Sequence, residues 1–252
     1  MAFTNHLNIL PDPNNPIGDA GETGGGTAGP GFASVQLTSD QPTLKDLTNS
    51  GRLLGRAIAR HRWKISINYN PMTQAEFMPV YSFITNRRGS IKPFFVSLPQ
   101  HRVPQDTTFA SYSTNNNLEA IASYPAGATQ AIIAKTGYNN STNKTPSPGD
   151  LFTIDGTDSN HKKTYMVTRV ETTANYQTGT TQPSATQVKI DFMPGFAKAV
   201  AGGDDFVFHN PLIKVIAQDI QQYSRRNYCS MFLSCKKHFY FYTSCIKLSS
   251  RL

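Results

Sequence analysis

The chain has 252 residues, of which 38% are hydrophobic, and a formal charge of +8. Six basic residues and no acidic ones fall in residues 225–252, which leaves 18 basic and 16 acidic groups in residues 1–224. The body of the protein is therefore almost neutral, which argues against a nucleic-acid-binding domain. No stretch approaches the roughly 18 apolar residues that a membrane-spanning helix needs.

All three cysteines, Cys229, Cys235 and Cys245, lie in the same final segment. The rest of the fold cannot depend on disulfide bonds, which suits synthesis in a reducing cytoplasm. Cys235 and His238 have the spacing of half a zinc site, but a closed site needs four ligands. We therefore expect no bound metal and no other cofactor.

The first part of the chain offers little apolar surface. Residues 11–31 are rich in Gly, Pro and Asn, so their burial would not offset the entropy lost on ordering them. We therefore predict that residues 1–31 form a flexible arm, ordered only when it packs on a neighbouring subunit in an assembly. Patterns typical of β-strands begin at Phe32.

Trp63, Ile65 and Ile67 alternate with polar residues. A period of two indicates a strand with one buried face and one solvent-exposed face. Pro71 closes this strand, since proline has no backbone donor for a sheet. The alternation also assigns the single tryptophan to a core.

A short helix should follow this strand. Thr73 and Glu76 have the spacing of a capping box, in which each residue satisfies a backbone amide of the other. Apolar residues then recur at helical spacing as far as residue 84. Gly89 is placed to end the helix in a left-handed conformation. A strand resumes at Ile91, so the helix's apolar face is expected to cover a sheet.

Between residues 105 and 205, short β-forming stretches alternate with turn signals at near-regular spacing. Such spacing is typical of small β-barrels and sandwiches. We expect residues 206–224 to return to the sheet that begins at residue 32. The composition then changes abruptly: residues 225–252 lack Gly, Pro, Asp and Glu, and we see no alternation there. Two interpretations stay open, a genuine basic and aromatic tail or a frame change near Ser224.

Nothing in the sequence has the spacing of a catalytic centre. The histidines are scattered, and the Gly-x-Ser-x-Gly motif of hydrolases does not occur. The grouped aspartates sit beside glycine in turn-like sequence, where they favour backbone hydrogen bonds. Arg87 and Arg88 fit the solvated end of a helix better than a phosphate site. We therefore expect no catalytic, cofactor-binding or metal-binding residue, and a protein that is not an enzyme.

The motifs in residues 32–224 resemble, in their order and spacing, those of tail proteins of tailed bacteriophages, of the distal-tail or baseplate-hub-associated type. These motifs are Arg62-Trp63, Pro71-Met72-Thr73, Arg88-Gly89, Gly149-Asp150, Val167-Thr168-Arg169-Val170 and Asn210-Pro211. The resemblance marks Trp63, Pro71, Thr73, Gly89, Asp150, Asn210 and Pro211 as structural motif residues, and the capping box adds Glu76.

The resemblance implies a mainly β fold. Residues 32–104 and 206–224 would form a β-sandwich-like, ring-forming domain with one short helix, and residues 105–205 an inserted small β-barrel-like domain. The family continues with one more closing strand, and this chain departs from that pattern at Arg225.

The resemblance also implies a structural protein of the virion tail, made in the cytoplasm of a bacterial host. Copies would form a ring, expected to be a hexamer, that joins the tail tube protein to baseplate hub or fibre proteins, without contacting a membrane or specific nucleic acid. Two alternatives rest on the residues. A carbohydrate-binding, host-recognition module would need Trp63 and Tyr112 on an exposed platform. A nucleic-acid-binding protein would depend on residues 225–252.

Overall fold

The computed structural model describes residues 8–14, 28–57, 61–88, 91–156, 163–177, 181–220 and 245–249. The chain divides into two compact units, Met1–Val96 with Val215–Leu252 and Ser97–Lys214. In chain order the elements are β1 (Phe32–Asp40), β2 (Thr43–Leu47), β3 (Leu53–Ala57), β4 (Arg62–Tyr69), α1 (Gln74–Asn86), β5 (Phe94–Ser97), α2 (Thr107–Ser113), β6 (Leu118–Ala120), β7 (Gln130–Ala134), β8 (Leu151–Asp155), β9 (Thr164–Glu171), β10 (Gln187–Met193), β11 (Asp205–Val207), β12 (Leu212–Ile220) and β13 (Cys245–Ser249). The predicted mainly β fold is confirmed.

The first unit contains a five-stranded sheet in the order β1-β4-β13-β12-β5. Strand β4 has the predicted alternation: Trp63, Ile65, Ile67 and Tyr69 are buried, while the residues between them are partly or fully exposed. The aromatic ring of Trp63 packs edge-on against His61, with ring centroids 4.6 Å apart. The β-sandwich predicted for this domain stays a prediction, because the structure shows the sheet without establishing a second packed layer of strands.

The predicted flexible arm is wrong for residues 8–14. Ile9 and Leu10 are buried, and the Leu10 amide donates to the carbonyl of Phe95 at 2.8 Å in a parallel bridge beside β5. The Tyr69 hydroxyl donates to the Pro11 carbonyl at 2.8 Å. Gly29 lies so close that a Cβ there would approach the Asp12 amide nitrogen to 2.7 Å. Two buried apolar side chains and these hydrogen bonds offset the ordering entropy. Residues 1–7 and 15–27 of the predicted arm lie outside the described residues.

Helix α1 starts with the predicted capping box. Glu76 Oε2 accepts from the Thr73 amide at 2.8 Å and from the Thr73 hydroxyl at 2.9 Å. At the other end, Arg88 adopts the left-handed conformation, with φ of 51°. The predicted left-handed residue, Gly89, lies outside the described residues.

The interpretation of Arg87 as a solvated helix end is wrong. Arg87 is buried, its guanidinium lies 4.4 Å from the ring centroid of Phe83, and its Nη1 donates to Asn8 Oδ1 at 2.9 Å. Burial lowers the pKa of this guanidinium. The side chain therefore ties the N-terminal segment to the end of α1 through a stacked cation and a hydrogen bond.

The capping box predicts a pH dependence. The Thr73 backbone amide, and then the Thr73 hydroxyl, hold the pKa of Glu76 below its ordinary value. A carboxylate with a lowered pKa stabilises the fold above its unfolded-state pKa and loses that contribution as pH falls through the folded pKa. Melting temperatures of wild type and Glu76→Gln should therefore differ at pH 7, and the difference should shrink at acid pH as the pH falls through the lowered pKa of Glu76. An equal gap at both pH values would contradict the cap.

The second unit contains a closed barrel of six strands in the order β10-β7-β6-β11-β8-β9. Its interior is largely aromatic. Phe152 lies 5.2–5.5 Å, centroid to centroid, from the rings of Tyr165, Phe192, Phe206 and Phe208, all buried.

A second helix, α2, was not predicted. Asp106 caps it by accepting from the Phe109 amide at 2.8 Å, and Phe109 is part of the barrel core. The predicted β-barrel-like fold is confirmed, while its exact boundaries at 105 and 205 stay a prediction.

The final segment contains a strand that the sequence analysis missed. Strand β13 lies in the sheet between β4 and β12 and is antiparallel to both. Its Ile246 and Leu248 are opposite Ile67 and Ile65, two buried residues of β4. The backbone register thus places residues 245–249 beside β4 and residues 246–249 beside β12. The two interpretations of the segment, native tail or frame change, both stay open.

Candidate interaction surface

Hairpin β2–β3 is exposed along both of its strands. The two strands pair with each other and, among the described strands, with no other. The exposed fractions of its four leucines are 59% for Leu44, 67% for Leu47, 61% for Leu53 and 52% for Leu54. Large apolar side chains grouped at the surface mark sites of protein–protein contact.

The hairpin presents leucine on both faces. Leu47 is directly opposite Leu53 on one face, and Leu44 lies diagonally across from Leu54 on the other. Around them are Lys45, Asp46 and two arginines. A two-stranded hairpin exposed on both faces is marginally stable by itself, so cover by another surface would stabilise it.

Residues 48–52 form a turn that is held by hydrogen bonds. The Thr48 amide donates to the Arg52 carbonyl at 3.0 Å, the Gly51 amide to the Thr48 carbonyl at 2.8 Å, and the Arg52 amide to the Thr48 hydroxyl at 3.0 Å. Gly51 has a φ of 76°, which glycine adopts without a steric penalty. The turn therefore fixes the register of the hairpin before any partner binds.

Strand β1 adds a second surface to the same unit. Eight of its nine residues pair with β4, and it is the last strand on its side of the sheet among the strands described. All of its side chains are exposed or half-buried. An edge strand of this length leaves a row of backbone donors and acceptors that can pair with another chain.

Neither surface was predicted from the sequence, in which the β pattern that begins at Phe32 and the alternation around Trp63 are the stronger signals. The signal for the hairpin was nevertheless present: two leucine-containing runs flank a five-residue turn with Gly51. The exposure of those leucines could not be derived from it, because an apolar residue in a strand normally indicates burial.

The structural motif residues predicted from the resemblance do not form one site. Trp63 is part of a buried face, Thr73 and Glu76 cap α1, and exposed Pro71 lies between the two elements. Asp150, Asn210 and Pro211 belong to the second unit. Their individual contacts support backbone roles, and the assignment as family motif residues stays a prediction.

Asp150 organises a turn before β8. Its carboxylate accepts from the Ser147 amide at 2.8 Å and from the Gln105 amide and side chain, each at 3.1 Å. The residue is buried and borders a cavity of about 410 Å³ that is also lined by His101 and Met166. Burial lowers the pKa of His101, an effect that the charge of Asp150 opposes.

Asn210 ties the two ends of the second unit together. Its amide donates to the Arg102 carbonyl, and the Ser97 hydroxyl donates to its Oδ1, both at 2.6 Å. Asn210 has a φ of 51°, a conformation that asparagine tolerates better than most residues. Pro211, which is buried, follows directly and leads into β12.

Trp63 and Tyr112 do not form the exposed platform that the carbohydrate-binding alternative needs. Trp63 is only 4% exposed, in the first unit, and Tyr112 is half-buried against Tyr138 in the second, with centroids 5.4 Å apart. We expect blue-shifted tryptophan emission that does not respond to added glycans, measured by fluorescence titration with bacterial cell-wall polysaccharide. A red-shifted emission, or a saturable change on titration, would contradict the assignment of Trp63 to the core.

Within the described part of the chain, no three His, Cys, Asp or Glu residues are grouped closely enough to hold a metal ion. None of the helices described there has the length and apolar character that would let it cross a membrane.

Comparison with known families supports the motifs in the first unit. Residues 17–101 match the family model described as distal tail protein pb9, A domain, N-terminal. This range includes hairpin β2–β3, strand β1 and helix α1. No curated protein matches the chain. The predicted resemblance is confirmed for this part of the sequence: in residues 17–101 the chain is similar to a phage distal tail protein family.

Proposed function

We propose that this chain forms a closed ring, expected to be a hexamer, at the distal end of a phage tail. There it joins the tail tube protein to baseplate hub or fibre proteins. It acts by presenting contact surfaces and performs no catalysis. The observation that carries the proposal is hairpin β2–β3, which exposes leucines on both faces and pairs with no other described strand.

A contact between two different surfaces of the same protein closes into a ring when the rotation per subunit divides a full turn. Hairpin β2–β3 and the edge strand β1 are two such different surfaces. Burying one leucine stabilises a contact by about 1.5–3 kcal/mol. Burial of the four leucines would therefore favour assembly against the cost of association, and strand pairing along β1 would add orientation through its regular hydrogen bonds.

Under this proposal the two units have different tasks. The ring-forming domain, predicted at residues 32–104 and 206–224, contains both candidate surfaces. The barrel, predicted at residues 105–205, has its own aromatic core and can present a separate surface to hub or fibre proteins.

The test is the state of the purified full-length chain. We expect light scattering to give a single multiple of the 27.8 kDa chain mass, and negative-stain electron microscopy to show rings. A species that stays monomeric from micromolar to hundreds of micromolar protein would contradict the proposal. Rings with a copy number other than six would correct the hexamer alone.

A further inference from the structure

Strand β13 fills a central position in its sheet although it comes from the end of the chain. Backbone pairing joins it to β4 from Asn68 to Lys64 on one side and to β12 on the other. Strand β13 separates β4 from β12, so these two strands do not pair with each other. We call the position between β4 and β12 the strand slot.

The strand slot requires an occupant. Ile65 and Ile67 on β4 are at most 1% exposed, and the registry places Leu248 and Ile246 opposite them. Without a strand there, backbone groups on the facing edges of β4 and β12 would lose their partners inside the sheet, at a cost of about 1–3 kcal/mol for each buried group. The slot is therefore specific for a short strand with apolar residues at alternate positions.

The connection to this strand is much longer than its position requires. Strands β12 and β13 are antiparallel neighbours, which a turn of roughly two to five residues can join. Here 24 residues, 221–244, separate them in the sequence. Fully extended, that many residues span about 80 Å, whereas neighbouring strands lie about 4.8 Å apart. The connection therefore does not confine β13 to the slot of its own chain.

We propose that in the assembled ring Cys245–Ser249 fills the strand slot of a neighbouring copy. This inference rests on the ring proposed above. Exchange of an identical element between copies keeps every native contact and is a low-cost way to join subunits. If every copy in a closed ring donates β13 to the next copy in the same direction, every strand slot is filled. Each five-stranded sheet then contains one strand from a neighbouring copy.

The native Cys245 allows a direct test, because it lies opposite Asn68 in the register. The test protein is the full chain with Asn68→Cys, Cys229→Ser and Cys235→Ser, so that its two cysteines are those at positions 68 and 245. After oxidation of assembled protein, a non-reducing gel should show a ladder of covalent multimers up to the copy number of the ring. A disulfide that closes within single chains, or no disulfide between positions 68 and 245, would overturn the proposal.

A mixture of two variants distinguishes disulfides between copies from disulfides within one chain without relying on gel mobility. One carries Asn68→Cys with Cys245→Ser, and the other keeps Asn68 and Cys245; both carry serine at 229 and 235. A disulfide between positions 68 and 245 can then form only between copies, so a covalent heterodimer from co-expressed chains supports exchange and its absence refutes it. As a matched control, Lys64→Cys replaces Asn68→Cys. Lys64 lies opposite Ser249, about 13 Å along the strand from Cys245, so no cross-link should form.

Light scattering of the same samples before oxidation separates this inference from the proposed function. Rings that yield only disulfides within chains would refute the exchange and leave the ring in place. Monomers that yield only such disulfides would refute both.

Discussion

Replacing Leu47 with glutamate and Leu53 with lysine should abolish ring assembly and leave each chain folded. The two leucines are directly opposite on one face of hairpin β2–β3 and are 67% and 61% exposed. Their burial in a contact contributes about 3–6 kcal/mol per subunit interface, and two charges there would have to be desolvated. The new residues form an opposite-charge pair across the strands, which preserves the hairpin. Light scattering and electron microscopy at matched concentrations measure the loss.

The control for this variant is Ser50→Glu, which adds a charge at the exposed tip of the same hairpin. It should assemble as wild type does, and both proteins should melt within a few degrees of wild type, because substitutions of exposed residues change stability little. Normal rings from the double variant would show that the leucines of this face are not the contact. A large fall in melting temperature would show instead that the hairpin packs within its own chain.

Replacing Phe152 with alanine should lower the free energy of unfolding of the barrel unit by about 3–5 kcal/mol, the usual cost of removing a buried aromatic side chain. Phe152 is fully buried and contacts four other aromatic rings in the barrel. Collapse of neighbouring side chains into the cavity is limited, since rigid rings on several strands hold one another apart. Urea unfolding followed by far-UV circular dichroism gives the change.

Tyr176→Ala is the matched control for Phe152→Ala, because it also removes an aromatic ring from the second unit, at a position 41% exposed. Its effect should stay within about 0.5 kcal/mol of wild type. Equal effects of the two substitutions would mean that burial of Phe152 does not stabilise the barrel core.

Sequence patterns predicted the elements whose signal is local. The alternation at Trp63 and Ile65 specified a strand, and the spacing of Thr73 and Glu76 specified where α1 begins, since both depend on residues within one turn or a few strand positions. Regular short strands were typical of small barrels and sandwiches alike, and the resemblance implied the barrel-like fold. In each case local propensity and final burial agree.

The errors concern contacts between distant parts of the sequence. Leu10 lies in a segment rich in proline and asparagine, and its burial depends on β5, some 85 residues later. Arg87 is charged, yet Asn8 and Phe83 accommodate it in a buried position. Strand β13 is short and follows a segment without β alternation, so its position between β4 and β12 could only come from the fold. Pairing over such distances leaves no periodic trace in the sequence.

The candidate surface was the hardest feature to predict. Leu44 and Leu54 look like core residues of a strand, and composition alone cannot tell a covered leucine from an exposed one. The motif residues, by contrast, were found easily because Thr73, Asp150 and Asn210 act on nearby backbone. Residues with local structural roles leave a sequence signature, whereas a surface made for a partner shows only when the rest of the chain has folded without covering it.

The chain leaves the sheet of the first unit after β5 and returns to it in β12, and these two strands are side by side. The residues between them, including the whole barrel, are thus joined to the sheet by two chain connections that lie on neighbouring strands. A recombination event with breakpoints after β5 and before β12 could therefore exchange one barrel for another and leave the five-stranded sheet intact. Under the proposed function, such an exchange would change the partner of the barrel and keep the ring.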